Sequence, residues 1–337
     1  MTTDADHAKL HGEEAIIRVL APLAQGYPGA FGLTDDCALV TPEPGTELVL
    51  KTDPIAEGVH FLPGDAPGDI AWKALAVNVS DLAAKGAKPI GYLMALSFPE
   101  APTQAWMARF ADGLRAAQDR FGCHLIGGDT DRRPGPLTIA ITVVGSVAQG
   151  RMVRRGTARP GDVLFVSGTL GDAALGLALR KGPDLAKAWG LSPEEDAHLR
   201  QRYLRPEPRL ALTSALRAHA SAAMDLSDGL AKDLGRMCAA SGCGAHVRFA
   251  DLPISAAGAK AVAADPACAN RIVAGGDDYE VLAAVPAGRT TAFAEAAVGA
   301  GVPVAAIGSM TAGRSVVIEG ADGRPLQLKT AGWDHFQ

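Results

Sequence analysis

The chain has 337 residues, 48% of them hydrophobic and 5% aromatic, with 32 Lys and Arg against 37 Asp and Glu for a net charge of −5. That length supports a large core divided over two domains. The acidic balance leaves no basic field for nucleic acid or an anionic membrane surface, and no window approaches the ~20 uninterrupted apolar residues that span a bilayer.

The start, MTTDADHAKLHGEE, is polar and acidic and holds no apolar run like that of a signal peptide. Ile16, Ile17, Val19, Leu20 and Leu23 place an amphipathic helix within residues 9–25. Strands at Cys37–Val40 and Glu47–Lys51 follow, separated by the turn PEPGT. Asp35 and Asp36 precede the first strand and Asp53 follows the second, positions that turn chemistry alone can explain.

From Asp69 to Pro89 the stretch DIAWKALAVNVSDLAAKGAKP predicts a helix capped by Asp69 and stopped by Gly86 and Pro89. Ile70, Ala71, Ala74, Leu75, Val77, Leu82 and Ala83 make it apolar on more than one face, so it should be buried on most sides. Asn78 and Asp81 nevertheless share a face. A carboxylate on a buried helix is costly unless a cation, a metal or several donors compensate. The plain reading is an ion pair of Asp81 with Lys85 on an exposed strip; the sharper one is a metal ligand.

Next come a strand at Ile90–Leu96, a helix at Thr103–Phe121 with Thr103 as cap and Gly122 as stop, and a short strand at Cys123–Ile126 running into Gly127-Gly128-Asp129-Thr130. A long β-branched strand spans Leu137–Val147. Residues 148–162 are polar, basic and rich in Gly, which sets the expected domains at 1–148 and 149–337. Beyond them the pattern gives a strand at Val163–Ser167, a Gly turn and helix from Gly168, helical pieces over 181–208, and a helix at Arg209–Ala220. A strand leads into the acidic turn Asp225–Gly229 and a helix to about Ala240. Val247 marks a strand, Ala256–Ala264 a helix, Gly275–Glu280 a turn before another strand, and Ala292–Ala300 a helix. Strands at Val304–Ile307 and Ser315–Ile318 close the second half before the tail AGWDHF. The expected class is α/β (α+β), two mixed αβ domains. The five cysteines are odd in number, scattered and without a C-x-x-C, as reduced thiols of a cytoplasmic protein would be.

The chemistry lies in six acidic segments: Asp35-Asp36, Thr52-Asp53, Asp81, Gly127-Gly128-Asp129-Thr130, Asp225-Leu226-Ser227-Asp228-Gly229 and Gly275-Gly276-Asp277-Asp278. Carboxylate and hydroxyl oxygens are hard ligands suited to Mg²⁺, which binds through carboxylates together with substrate phosphates. Neighbouring glycines let backbone N–H groups approach phosphate oxygens. Together these predict a nucleotide–metal site on which distant carboxylates converge. No G-x-x-x-x-G-K-[ST] and no G-x-G-x-x-G occurs, which closes the P-loop and Rossmann routes, and no H-E-x-x-H or paired Cys/His spacing supports zinc. Gly168-Thr169-Leu170-Gly171-Asp172 is either an anion site at a helix N-terminus or strand–helix punctuation. Arg154, Arg155 and Arg159 are either a solvated linker or a phosphate clamp. Trp333 is either a surface anchor or a lid residue that stacks on a planar ring.

TDDCALV, KTDPIAEGVHF, KALAVNVSDLAAKGAKP, LIGGDT, RRGTARPGD, DLSDGL, GGDDYEVL and GWDHF occur in one order from the thirties to the C-terminus. In that combination the chain resembles the thiamine-monophosphate kinases of the aminoimidazole-ribonucleotide-synthetase-like superfamily. The resemblance implies direct in-line transfer of the γ-phosphoryl of ATP onto thiamine monophosphate, the last step of thiamine diphosphate biosynthesis, with no protein base or nucleophile. It implies several Mg²⁺ ions held by Asp36, Thr52, Asp53, Asp81, Asp129, Asp225 and Asp228. ATP would meet Gly128, Asp129, Arg155 and Ser227; thiamine monophosphate would meet His60, Asp277 and Trp333. It further implies a homodimer formed through the sheet of the N-terminal domain, and a site in the cleft between the domains. Two positions depart from the family pattern: Lys51 replaces a small hydroxyl residue, and Asp277 replaces Glu. Other readings are a superfamily member that activates an amide or selenide, a Mg²⁺-dependent phosphohydrolase, and a non-catalytic phosphate-ligand binding protein. The N-terminus carries no glycine- or cysteine-rich loop of the first kind.

Overall fold

The computed structural model describes residues 8–320, 323–328 and 332–333. Residues 1–7, in the stretch compared with signal peptides, and the whole tail beyond Trp333 lie outside these. Its contacts divide the chain into two units, one of Met1–Leu82 with Ala87–Gly150 and one of Ala83–Gly86 with Arg151–Gln337.

In the first unit helix α1, Glu13–Leu20, continues into a 3₁₀ turn at Ala21–Ala24. Strand β1 spans Thr46–Ala56, α2 Pro67–Ala84, β2 Lys88–Phe98, α3 Gln104–Phe121, β3 His124–Arg132 and β4 Thr138–Ala148. The sheet order is β1-β4-β2-β3, antiparallel except for β2 and β3, which run parallel across α3. The α3 boundaries follow the sequence: the Thr103 hydroxyl accepts from Trp106 N at 3.1 Å, and Gly122 closes the helix at φ 61°.

Helix α2 begins two residues before Asp69, which therefore sits in the first turn rather than at the cap. As expected it is buried almost all round: Ala71, Ala74, Leu75, Ala76, Val77, Val79, Leu82, Ala83 and Ala84 are 2% exposed or less. Each buried Leu there contributes about 1.5–3 kcal/mol.

Two expectations fail in this unit. Cys37–Val40 forms no strand. Leu39 N donates to Gly29 O, and Ala38 and Val40 pack as a loop on Ala24, Ala30 and Ile126, so the segment is fixed by the N-terminal turns and by β3 rather than by strand pairing. Conversely Gly127–Asp129 is not a turn after a strand but part of β3, paired residue for residue with Leu93–Ala95. A Cβ on Gly128 would lie 1.9 Å from Met94 O, so only glycine permits this pairing. Gly128→Ala is expected to cost ~3 kcal/mol or more, read as a lower midpoint in urea; an unchanged midpoint refutes the close approach.

The second unit comprises β5 (Val163–Ser167), α4 (Asp172–Lys181), α5 (Leu185–Ala188), α6 (Pro193–Leu204), α7 (Thr213–His219), β6 (Ala222–Asp225), α8 (Leu230–Ser241), β7 (Gly244–Arg248), α9 (Ala256–Ala264), α10 (Cys268–Ala274), β8 (Val281–Val285), α11 (Thr290–Gly299), β9 (Val304–Thr311) and β10 (Val316–Glu319). Its sheet order is β10-β7-β9-β5-β8-β6, antiparallel apart from β10 beside β7. Two apolar clusters pack in this unit, one around Leu164, Leu175, Leu234 and Ile307, the other around Phe165, Leu216, Val285 and Phe293. All five cysteines are free thiols. No helix among the described residues is long and apolar enough to cross a membrane.

Candidate functional site

In the first unit the period of β1 decides which side chains meet. Lys51 and Asp53 face α2, whereas Thr52 faces the other side of the sheet. Asn78 locks helix to strand: its Oδ1 accepts from Asp53 N at 2.8 Å, and its amide donates to Asp53 O at 3.3 Å and Ala74 O at 3.1 Å. One turn later Asp81 reaches Lys51. The Lys51 ammonium lies 3.0 Å from Asp53 Oδ2 and 2.9 Å from Asp81 Oδ2. Burial alone would lower the Lys51 pKa, but the carboxylates of Asp81 and Asp53 outweigh it and hold the ammonium above the ordinary lysine value. Asp81 thus pairs with Lys51 rather than with Lys85, whose ammonium donates to Ala223 O within the second unit.

Thr52 is not brought to this pair. Its hydroxyl donates to Ile141 O at 3.1 Å and accepts from Thr142 Oγ1 at 3.0 Å on the opposite face. Asp129 stands exposed on β3, and Asp36 is exposed in the loop after residue 34, where Asp35 accepts from Cys37 N. His60 Nδ1 accepts from Ala56 N at 3.1 Å, which leaves the proton of the neutral ring on Nε2. The buried Lys73 donates to His60 O and fixes the backbone there.

In the second unit three distant segments do converge. Asp225 ends β6, buried, and the turn after it is held from behind by Asp233. Asp233 Oδ2 accepts from Ser227 N at 3.0 Å and Asp228 N at 2.9 Å. Burial raises the Asp233 pKa against those bonds and Arg236. Asp228 Oδ2 lies 2.6 Å from Arg236 Nη1. Against this turn lies the Gly275–Glu280 segment. Asp277 N donates to Ser227 O and Tyr279 N to Leu226 O, at 2.9 and 2.8 Å. Asp277 and Tyr279 adopt φ of 73° and 50° to make this fit. Trp333 N donates to Asp228 O, and Lys232 Nζ donates to Trp333 O. Ser227, Asp228, Asp277 and Trp333 therefore belong to one surface, with Asp225 buried at the start of the turn. Arg155 lies on the segment beside β6, exposed and without an ion pair among the described residues.

Behind this surface lie two carboxylates of the Gly275–Glu280 segment whose burial and partners the sequence does not report. Glu280 is fully buried between Arg202 and Arg209 and accepts from Ser167 Oγ at 2.6 Å. Asp278, also buried, accepts from Gly171 N at 2.7 Å and Ala173 N at 3.3 Å. The helix N-terminus at Gly171 is thus taken by the protein's own carboxyl, and the Gly168–Asp172 turn is punctuation. Burial pushes Asp278 up to about 8, opposed by those amides and Arg202. A carboxyl raised in the folded state stabilises below its unfolded pKa, and that stabilisation is lost as pH rises towards the folded value. Asp278→Asn is therefore expected to cost less stability at pH 8 than at pH 5 in urea titrations; a cost independent of pH refutes the assignment.

The donor chemistry fits hard cations. Asp53 and Asp81 already bracket a positive charge, and Asp225 and Asp228 share one turn. The convergence is looser than expected: among the described residues no three His, Cys, Asp or Glu side chains gather closely enough to hold an ion by themselves. A Mg²⁺ ion would complete its shell with water and phosphate oxygens, its usual habit.

Residues 34–147 match the model of the AIR synthase related protein N-terminal domain, and residues 159–320 that of the C-terminal domain. A thiamine-monophosphate kinase of Salmonella typhimurium is 44% identical over 306 residues, 90% of this chain and 91% of that protein. The crystal structure of thiamine-monophosphate kinase from Stenotrophomonas maltophilia K279a aligns with TM-score 0.81 at 40% identity, covering 92% of this chain and 96% of that one. AaThiL, solved in complex with AMPPCP and TMP, aligns with TM-score 0.75 at 31% identity over 96% and 97% of the two chains. On the matched domains and on full-length identity well above a shared fold, the chain belongs to the thiamine-monophosphate kinases of the AIR synthase related family.

Proposed function

We propose that this chain moves the γ-phosphoryl of ATP onto the phosphate of thiamine monophosphate in one in-line, Mg²⁺-dependent step, giving thiamine diphosphate. The observation that carries the reading is similarity along nearly the whole chain to a protein solved with an ATP analogue and TMP. The acceptor is already an anion, so it needs positioning and charge compensation more than a base. Bound Mg²⁺ would offset the charge of the two phosphorylated substrates, held by Asp36, Asp53, Asp81 and Asp129 with Asp225 and Asp228, the Asp53 and Asp81 oxygens that face Lys51 excepted, and by Thr52 through its main chain rather than its hydroxyl. Gly128, Arg155 and Ser227 line the path of ATP. His60, as an Nε2–H donor, with Asp277 and Trp333 receives the thiamine phosphate.

We place the reaction in the cytoplasm and in a homodimer. The face of the first unit's sheet opposite α2 leaves Leu48, Leu50 and Leu93 exposed, an apolar strip suited to a second copy. A monomer in sedimentation equilibrium overturns that part. ADP formation, followed with and without thiamine monophosphate and Mg²⁺, tests the whole. Release that needs both supports the kinase; phosphate release without the acceptor marks a hydrolase, and no turnover marks a binding protein.

A further inference from the structure

Lys51 and Asp53 stand two apart on β1 and share its helix-facing side, while Asn78 fixes α2 so that Asp81 comes opposite them. The ammonium bridges carboxylates from two different elements, at 3.0 and 2.9 Å, and makes no other hydrogen bond among the described residues. A Mg²⁺ ion on the same two oxygens would sit at about 2.0–2.1 Å from each. It would then stand within a few ångströms of the ammonium. Repulsion between charges of +2 and +1 at ~3 Å is on the order of 10 kcal/mol even at an effective dielectric of 20. The pair therefore holds one cation or the other, and the lysine, being covalently tethered, is always at hand.

We propose that Lys51 is a resident cation: its ammonium takes the place of one divalent ion at the Asp53–Asp81 pair, so that the enzyme collects one divalent ion fewer than its carboxylates would otherwise hold. This rests on the reading of those carboxylates as metal ligands in the proposed phosphoryl transfer, and it makes Lys51 a positioning residue. The test counts Mn²⁺ bound per chain, from the electron paramagnetic resonance of free Mn²⁺ at saturating AMPPCP, in the wild type, Lys51→Ser and Lys51→Arg. The serine variant is expected to bind one more Mn²⁺ than the wild type, and the arginine variant the same number. Metal-free Lys51→Ser should also melt below the wild type and recover on addition of Mn²⁺, since two carboxylates lose their counter-charge. Equal counts in the wild type and Lys51→Ser, or an extra ion in Lys51→Arg, overturn the proposal. Should the serine variant fail to fold, Lys51→Gln carries the same comparison. Wild-type ADP formation is scored separately, so a failed kinase reading leaves the Mn²⁺ count interpretable.

Discussion

Asp129→Asn is expected to lower kcat by about 10²–10³-fold while leaving the melting temperature within a degree or so of the wild type. The two halves of this expectation come from one observation. Asp129 lies exposed on β3, and its carboxylate makes no hydrogen bond or ion pair among the described residues. The fold therefore asks nothing of its charge, and asparagine keeps its shape and its place in the ladder. On the proposed metal role the charge meets a cation that compensates the phosphates, a contribution worth several kcal/mol to the transition state, with each ~1.4 kcal/mol a factor of ten. Steady-state kinetics at several Mg²⁺ concentrations, with a thermal melt on the same sample, decides it. A near-normal kcat removes Asp129 from the metal set; a large fall in melting temperature assigns it to the scaffold.

Glu280→Ala is expected to have the opposite profile, a loss of about 3–5 kcal/mol of stability. Glu280 is fully buried, paired with Arg202 and Arg209 and bonded to Ser167. Removing it leaves two largely buried guanidinium groups facing each other, and strips Ser167 Oγ of its acceptor. For a unit of this size the fall in melting temperature is on the order of 10 °C. The triple change Glu280→Leu, Arg202→Met, Arg209→Met removes charge and counter-charge together and should recover a good part of the loss. Denaturant unfolding measures both, and a Glu280→Ala cost below ~1 kcal/mol would falsify the account of this cluster.

The elements bounded by local chemistry were legible in the sequence. Thr103 and Gly122 bracket α3, and α9 at Ala256–Ala264 and β5 at Val163–Ser167 occupy the ranges read for them. What failed depended on partners far along the chain. Cys37–Val40 has the composition of a strand but no neighbour to pair with, and Gly127–Asp129 has that of a turn but is claimed by β2. The same divide runs through the site. The acidic segments could be named from composition, and Ser227, Asp228, Asp277 and Trp333 do share a surface. Strand period turned Thr52 away from Asp53, and the ion pairs of Lys51 with Asp81 and of Glu280 with Arg202 and Arg209 join residues 30 to 78 positions apart, which no local pattern reports.

The seam between the two acidic turns of the second unit is sewn with main-chain thread: the amides of Asp277, Tyr279 and Trp333 are spent on the carbonyls of Ser227, Leu226 and Asp228. Such stitching is indifferent to what the side chains are, so the chemistry that the proposed function assigns to the acceptor can be rewritten without unpicking the cloth. The exceptions are residues 277 and 279, whose positive φ disfavours β-branched side chains and at 277 favours Asp, Asn or Gly. Attempts to retune the acceptor should therefore vary Trp333 freely and confine residue 277 to that small alphabet.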